Sequence, residues 1–396
     1  MLSLAYFVSH PIQYQAPLLR LIAADPDIDL KVFFYSNFSL TSYQDRGFGL
    51  RVEWDVPLTA GYDHQFLNCW GSKQWKSILQ QPIATDITKQ LKQGQFDAIW
   101  VHGWMWIGSL QAILDANKLG IPVLIRGEAN GLQEPMPPLK QLAKKAFLNW
   151  VFEKVQGFLY VGKLNYQFYK SYRISDEKLF SMPYTVDNDY FQKRAMQAQI
   201  HREELRQSLS LQPGRLIILY AAKLIPVKRP QDLLAAYRLL SPDGVREPDP
   251  YLLFVGDGAL RAQLEAEAKV TGWNSIRFLG FRNQSQMPSI YDLSDVFVLP
   301  SSFEPWGLAV NEVMNAGKAV VVSNRVGSAA DLVVDGQNGK SFPVEDVDAL
   351  AEAIRWAIAN YKVAGEMSFK FIRYWSFKDN LQGLKQALNY CTILDI

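Results

Sequence analysis

A chain of 396 residues, 48% hydrophobic and 20% charged, has a globular balance and room for two to three domains. Its formal net charge of +2 is too small to argue for nucleic acid as a partner. Two distant cysteines (Cys69, Cys391) and four histidines without metal-ligand spacing argue against a disulfide framework and a zinc site, and no uncharged run reaches the ~20 residues of a membrane span.

The chain starts "MLSLAYFVSHPIQYQ", with no basic leader region, so a cytoplasmic protein is expected, at most peripheral at the inner face of a membrane. The apolar run 2–8 reads as a strand, ended by His10-Pro11. A helix is expected from Ile12 or Gln13, with Gln13 and Tyr14 offering polar contact; His10 is either a buried structural histidine or a ligand group. Further strands are expected at 30–36, 96–102, 121–126 and 157–162. The segment 37–95 resists the alternating pattern and is expected to contribute extra strands and loops facing the interdomain cleft. Its Trp54, Tyr62, Trp70 and Trp75 either stack on a sugar or simply anchor loops.

His102 ends the run 96–102, and Arg126 and Glu128 follow the next in "IPVLIRGEANG". The helix "PPLKQLAKKAFLNWVFEKV" is amphipathic, with Lys140, Lys144, Lys145 and Lys154 beside Leu142, Phe147, Trp150 and Val151. Its apolar side either packs inward or meets an anionic membrane. A polar stretch without strand character begins near Asn188, where the domain boundary is placed, giving domains 1–187 and 188–375. The tail, about 376–396, is helical in period and is expected to pack back on the first domain. The second half repeats the design, with strand runs at 215–222, 251–258, 276–281, 296–301 and 319–324. Runs apolar throughout suit parallel strands buried on both faces, so the fold class is α/β, doubly wound and present twice.

In "SSFEPWGLAVNEVMNAG" a strand gives way to a helix. Glu304 falls in the loop and Glu312 on the second helical turn, leaning back toward that loop. Between them the N–H groups of Trp306, Gly307 and Leu308 open the helix, where anions are favoured. Two carboxylates around an anion-favouring helix start suit a ligand with hydroxyls at both ends and phosphate between, such as a nucleotide sugar. Alternatively, Glu304 caps the helix and Glu312 is merely solvated.

The stretch "FEPWGLAVNE" resembles the Glu-x7-Glu motif of family-4 retaining glycosyltransferases, which have the GT-B fold of two Rossmann-like domains facing a central cleft. "VGDGALRAQLE", "IRFLGF", "YDLSDVFVLPSSFEPWGL" and "NAGKAVVVSNRVGSAADLVVDGQNGKSFP" follow that family in order. The resemblance is close over the second half and loose over the first. It implies that Glu304 holds the donor hexose and Glu312 the ribose, with Pro305, Trp306, Gly307 and Leu308 supporting sugar and diphosphate. In "YAAKLIPVKRPQDLLAA", Lys223 stands where the family has arginine and Lys228 where it has lysine; both would face the diphosphate leaving group. Gly256 and Gly258 allow close backbone approach, beside the nucleoside or in a simple turn, and the main chain at Phe281 and Arg282 resembles the base-contacting loop.

Where the family has a glycine pair after the first strand, this chain has none. Where it has a histidine or acid at the catalytic centre, this chain offers Arg126 and Glu128, with His102 as a further candidate. The implied reaction is retaining hexosyl transfer from a nucleoside diphosphate sugar, UDP by preference, to a hydroxyl of a glycan, lipid-linked or small acceptor. It needs no cofactor, no metal and no enzymic nucleophile, and the domains close over the donor. The alternatives are an inert nucleotide-sugar-binding partner subunit, or a nucleotide-sugar epimerase on the same fold.

Overall fold

The computed structural model describes residues 1–71, 81–133, 136–241, 247 and 249–394. The chain divides into two compact units: Met1–Tyr43, Val56–Tyr184 and Phe377–Ile396 form the first, Gln44–Asp55 and Thr185–Ser376 the second.

The first unit is built on a seven-stranded sheet, in order Leu179–Ser181, Gly157–Tyr160, Val123–Arg126, Ala98–His102, Leu2–Val8, Ile28–Phe34 and Asp63–Phe66. Every pairing in it is parallel. Successive residues alternate between two cores, as the strand period requires. Ala5, Phe7, Ile99 and Val101 pack on one face, while Leu4, Tyr6, Val8 and Trp100 pack on the other. The tail helix Phe377–Leu394 joins the second core through Leu384, Ala387, Leu388 and Cys391. Leu179–Ser181 escapes sequence reading, and Asp63–Phe66 ("DHQF") is an extra strand of the kind expected in 37–95 without a position; both are short edge strands whose polar residues carry no buried-strand signature.

In the second unit the order is Ile276–Gly280, Tyr251–Val255, Ile217–Ala221, Val296–Leu299, Ala319–Ser323 and Gly339–Phe342, again all parallel. Numbered along the chain this is 3-2-1-4-5-6, the doubly wound Rossmann order. The long helix Val347–Phe371 closes one face with Leu350, Ile354 and Ala357. The strand Gly339–Phe342 ("GKSF") was likewise too short and polar to read.

One boundary is corrected. The stretch Gln44–Asp55 lies in the expected first domain by sequence, yet it packs with the second unit. Its contacts explain why: the Asp45 carboxylate accepts from Lys223 Nζ at 2.9 Å, Phe48 meets Phe281 edge to face at 4.9 Å, and Asn283 donates to the Glu53 carbonyl at 2.6 Å. Trp54 is half-buried in this stretch. Of the other aromatic residues of segment 37–95, Tyr62 is buried and bonds the Leu58 carbonyl, Trp70 is 78% exposed, and Trp75 lies outside the described residues.

Candidate functional site

In an open doubly wound sheet, ligands bind at the carboxyl ends of the strands where the order reverses. In the second unit that point lies between Ile217–Ala221 and Val296–Leu299. The chain leaving the first of these carries Lys223 and Lys228; the chain leaving the second carries Ser301 to Glu304.

Lys228 and Glu304 form an ion pair across this switch point, with side chains 19% and 11% exposed. The Glu304 backbone is fixed as well. Its N–H donates to the Arg325 carbonyl at 3.1 Å, its carbonyl accepts from Gly327 N–H at 3.1 Å, and Ser301 Oγ donates to Oε1 at 3.3 Å. A residue whose main chain is held by two backbone bonds and whose carboxylate rests on a cation and a hydroxyl is preorganised.

Gly307 begins the next helix, Leu308–Asn315, from the left-handed region at φ 94°. A side chain there would be strained and would crowd Val326 and Leu299. Pro305 and Leu308 are half-buried beside it. Trp306 turns inward instead: its indole donates to Asn311 Oδ1 at 2.8 Å and its ring lies 5.4 Å from Trp375. Its side chain is therefore structural, leaving only its main chain for a ligand. Asn311 and Asn315, both buried, were unread in the sequence. Asn315 donates to Asn188 Oδ1 at 2.8 Å and ties this helix to the one spanning Asn188–Gln199.

Glu312 is half-buried and accepts from Tyr291 Oη at 2.5 Å. Burial pushes its carboxyl up to about 7, against the opposing pull of the Tyr291 and Gln284 hydrogen bonds. Between the ordinary glutamate range and that value the folded chain holds a proton the unfolded chain has lost. Its contribution to stability therefore declines as pH rises through this window. Hydroxyl donors prefer the ionised carboxylate, so any diol seated on Glu312 should bind more tightly as pH rises through about 7. Calorimetric titration checks this, and Glu312→Gln should flatten the step while weakening binding.

Lys223 is paired with Asp45 and lies 4.7 Å over the Phe48 ring. Phe281 and Arg282 are half-buried, and Phe281 is the ring Phe48 meets. The glycines have a reason internal to the unit. At Gly256 (φ 132°) an added Cβ would run into the Ala222 carbonyl, and at Gly258 (φ 152°) into the Leu224 carbonyl. Both let the "VGDG" turn lie flush against the segment carrying Lys223, whose neighbour Leu224 donates its N–H to the Asp257 carbonyl at 2.8 Å.

The first unit has its own switch point, between Leu2–Val8 and Ala98–His102. Here the helix begins at Ala16, not at Ile12 or Gln13, because residues 13–15 form a turn. Gln13 is half-buried on that turn, whereas Gln15 points inward. It accepts from Tyr6 Oη at 2.9 Å and its amide lies 3.3 Å from His102 Nε2. His102 Nε2 lies 3.6 Å from Glu128 Oε1, and Tyr184 Oη donates to the same oxygen. Burial alone would raise the Glu128 carboxyl, but His102, the Tyr184 hydroxyl and Arg126 outweigh it and hold it below the ordinary range. This cluster keeps Glu128 ionised, with its side chain 36% exposed.

Arg126 is corrected. It is 2% exposed and donates to the carbonyls of Met182 (3.0 Å) and Pro183 (2.9 Å) and to Asn380 Oδ1 (3.2 Å), with Tyr184 stacked on its guanidinium at 4.7 Å. It pins the tail helix and is too deep to meet a ligand. His10 is half-buried against Phe38 at 4.3 Å, and burial, reinforced by His102, lowers its ring to about 4. That favours the structural reading. Among the described residues no group of three or more His, Cys, Asp or Glu side chains is placed to hold a metal ion.

Residues 201–374 match the model of the family described as "Glycosyl transferases group 1". A glycogen synthase of Mycobacterium tuberculosis is 32% identical over 143 residues, 36% of this chain and 34% of that protein. An Escherichia coli UDP-Gal:alpha-D-GlcNAc-diphosphoundecaprenol alpha-1,3-galactosyltransferase is 29% identical over 189 residues, 47% of this chain and 46% of that one. The chain thus spans well under two thirds of these relatives' length. Among solved structures, a glycosyltransferase of Rickettsia africae superposes with TM-score 0.72 at 16% identity, covering 99% of this chain and 98% of its own. Anabaena Alr3699/HepE in complex with UDP and glucose gives 0.69 at 15% identity, with 98% and 100% covered. The fold is that of the GT-B glycosyltransferases, as the resemblance of the second half implies.

Proposed function

We propose that the chain is a retaining glycosyltransferase that moves a hexose from a nucleoside diphosphate sugar, UDP by preference, to an acceptor hydroxyl without a metal ion. The observation that carries this reading is the Lys228–Glu304 pair at the switch point of the second unit. As the glycosidic bond breaks, the electron pair passes to the departing phosphate oxygen. Lys228 and Lys223, fixed on that edge, stabilise this growing charge more than they stabilise the bound donor. Glu304, released from Lys228 by the incoming phosphate, is left to accept hydrogen bonds from the hexose, and Glu312 from the ribose. Retention then follows from same-face attack, in which the leaving phosphate takes the acceptor proton and no enzymic carboxylate is glycosylated. In the first unit, Glu128, kept ionised by His102 and Tyr184, is the group suited to orient a hydroxyl.

The family match over residues 201–374 supports this assignment, as does the fold shared with a UDP-bound neighbour. A second reading, an inert nucleotide-binding subunit, draws on Asp45, whose carboxylate occupies Lys223. A panel of labelled sugar nucleotides incubated with the protein in excess chelator separates the two. Slow donor hydrolysis, or transfer with the anomeric configuration kept, is expected. Tight binding without any turnover across the panel would establish the subunit instead, and an inverted product would end the retaining assignment.

A further inference from the structure

The helix Pro138–Phe152 has two apolar faces, not one. Leu148, Val151 and Phe152 are buried against the first unit, so Val151 does not share a face with the residues grouped with it above. At 100° per residue, Leu139, Leu142, Ala143, Ala146, Phe147 and Trp150 fall together on the opposite side. That stripe is uncovered: Leu139 is 79% exposed, Leu142 65%, Trp150 42% and Phe147 37%, and both alanines are exposed. Spacing of i, i+3, i+4, i+7, i+8 and i+11 is what a chain uses to bury a helix face, yet here the face points away from its own core. A contiguous apolar stripe left open on a folded unit marks an interaction surface.

The charges beside it indicate the occupant. Lys140 projects along one flank of the stripe and Lys145 along the other, with Lys144 next to the inward face. Lys154 lies 4.8 Å over the Trp150 ring, at the end of the stripe. Against these four cations the stretch 138–154 carries one carboxylate, Glu153. Beside the helix opens a cavity of ≈ 520 Å³ whose lining includes Lys145, Arg173 and Lys178 against Glu153 alone among acids. An apolar ridge edged by lysines on both sides, with a cationic recess alongside, matches the boundary of an anionic bilayer: acyl chains below, phosphodiesters at the rim. A protein partner would require no such two-sided basic border.

We propose that this helix seats the first unit on an anionic phospholipid surface, the stripe entering the headgroup boundary and the cavity taking a lipid phosphate. The helix lies in the surface; among the described residues none is long and apolar enough to cross a membrane. This seating is independent of the transfer chemistry and stands or falls without it.

The test is sedimentation of the full chain with vesicles of phosphatidylcholine, or of phosphatidylcholine mixed with phosphatidylglycerol. Binding to the mixed vesicles, weakened by salt, and none to the neutral ones is expected. Leu142→Gln with Trp150→Gln, and separately Lys140→Gln with Lys145→Gln, should each reduce binding by roughly tenfold or more. These positions are exposed, and circular dichroism verifies that the variants fold. Failure to bind mixed vesicles, or equal binding by the variants, overturns the proposal. So does a concentration-dependent dimer in analytical ultracentrifugation that the Leu142/Trp150 variant abolishes, since a second copy would then be the occupant.

Discussion

Replacing Lys228 with methionine is expected to lower donor turnover by about 10²–10³-fold, the usual cost of removing one group aimed at charge developing in a transition state. The same change should also lower the melting temperature, because Glu304, 8% exposed, then loses the cation that Lys228 sets against its carboxylate. Breaking a half-buried pair from one side costs about 1–3 kcal/mol. Loss of activity and loss of stability must therefore be separated. The double variant Lys228→Met with Glu304→Gln removes both charges and should recover most of the melting temperature while turnover stays low. Lys228→Arg keeps the charge and should recover part of the turnover, with less than full effect because a planar fork replaces a point charge. Recovery of turnover by the double variant, in step with its stability, would show that the pair is only a brace for the strand-to-helix loop.

What was legible in the sequence follows a physical divide. Interior strands such as Ile217–Ala221 and Val296–Leu299 are apolar on both faces and announce themselves without long-range information. Edge strands such as Asp63–Phe66 and Gly339–Phe342 are defined by their neighbour's hydrogen bonds, and four residues of mixed polarity do not reveal that neighbour. The site divides in the same way. Glu304 and Glu312 stand eight positions apart on one loop and helix, so local geometry predicts their shared edge. Asp45 meets Lys223 across 178 residues, Gln15 reaches His102 across 87, and Tyr184 reaches Glu128 across 56. Nothing local to any of the three marks it. Arg126 shows the converse: a charged residue at a strand's carboxyl end reads as a ligand group, and only its partners Met182, Pro183 and Asn380 reveal that the charge is used internally.

Gly383→Ala is expected to destabilise the first unit, against the sign that helix propensity alone would give. In the exposed middle of a helix this exchange stabilises by about 1 kcal/mol. Gly383, however, lies where the tail helix crosses the strand Leu179–Ser181, and an added Cβ would fall on the Ser181 carbonyl oxygen. The obstacle is backbone, so no side chain can turn aside, and the helix must shift as a body. A shift disturbs Leu384, Ala387, Leu388 and Cys391, all buried under the sheet, and the bond from Arg126 to Asn380. The paired contacts of Lys385 with Asp25 and Asp27 at the far flank are exposed in part and too weak to hold it. Overpacking of this kind costs about 1–3 kcal/mol, occasionally more. Thermal melting gives the sign, and hydrogen exchange across 377–394 gives the location, since an undocked helix loses protection there first. A more stable Gly383→Ala variant with unchanged exchange would mean that the tail does not lie this close to the strand.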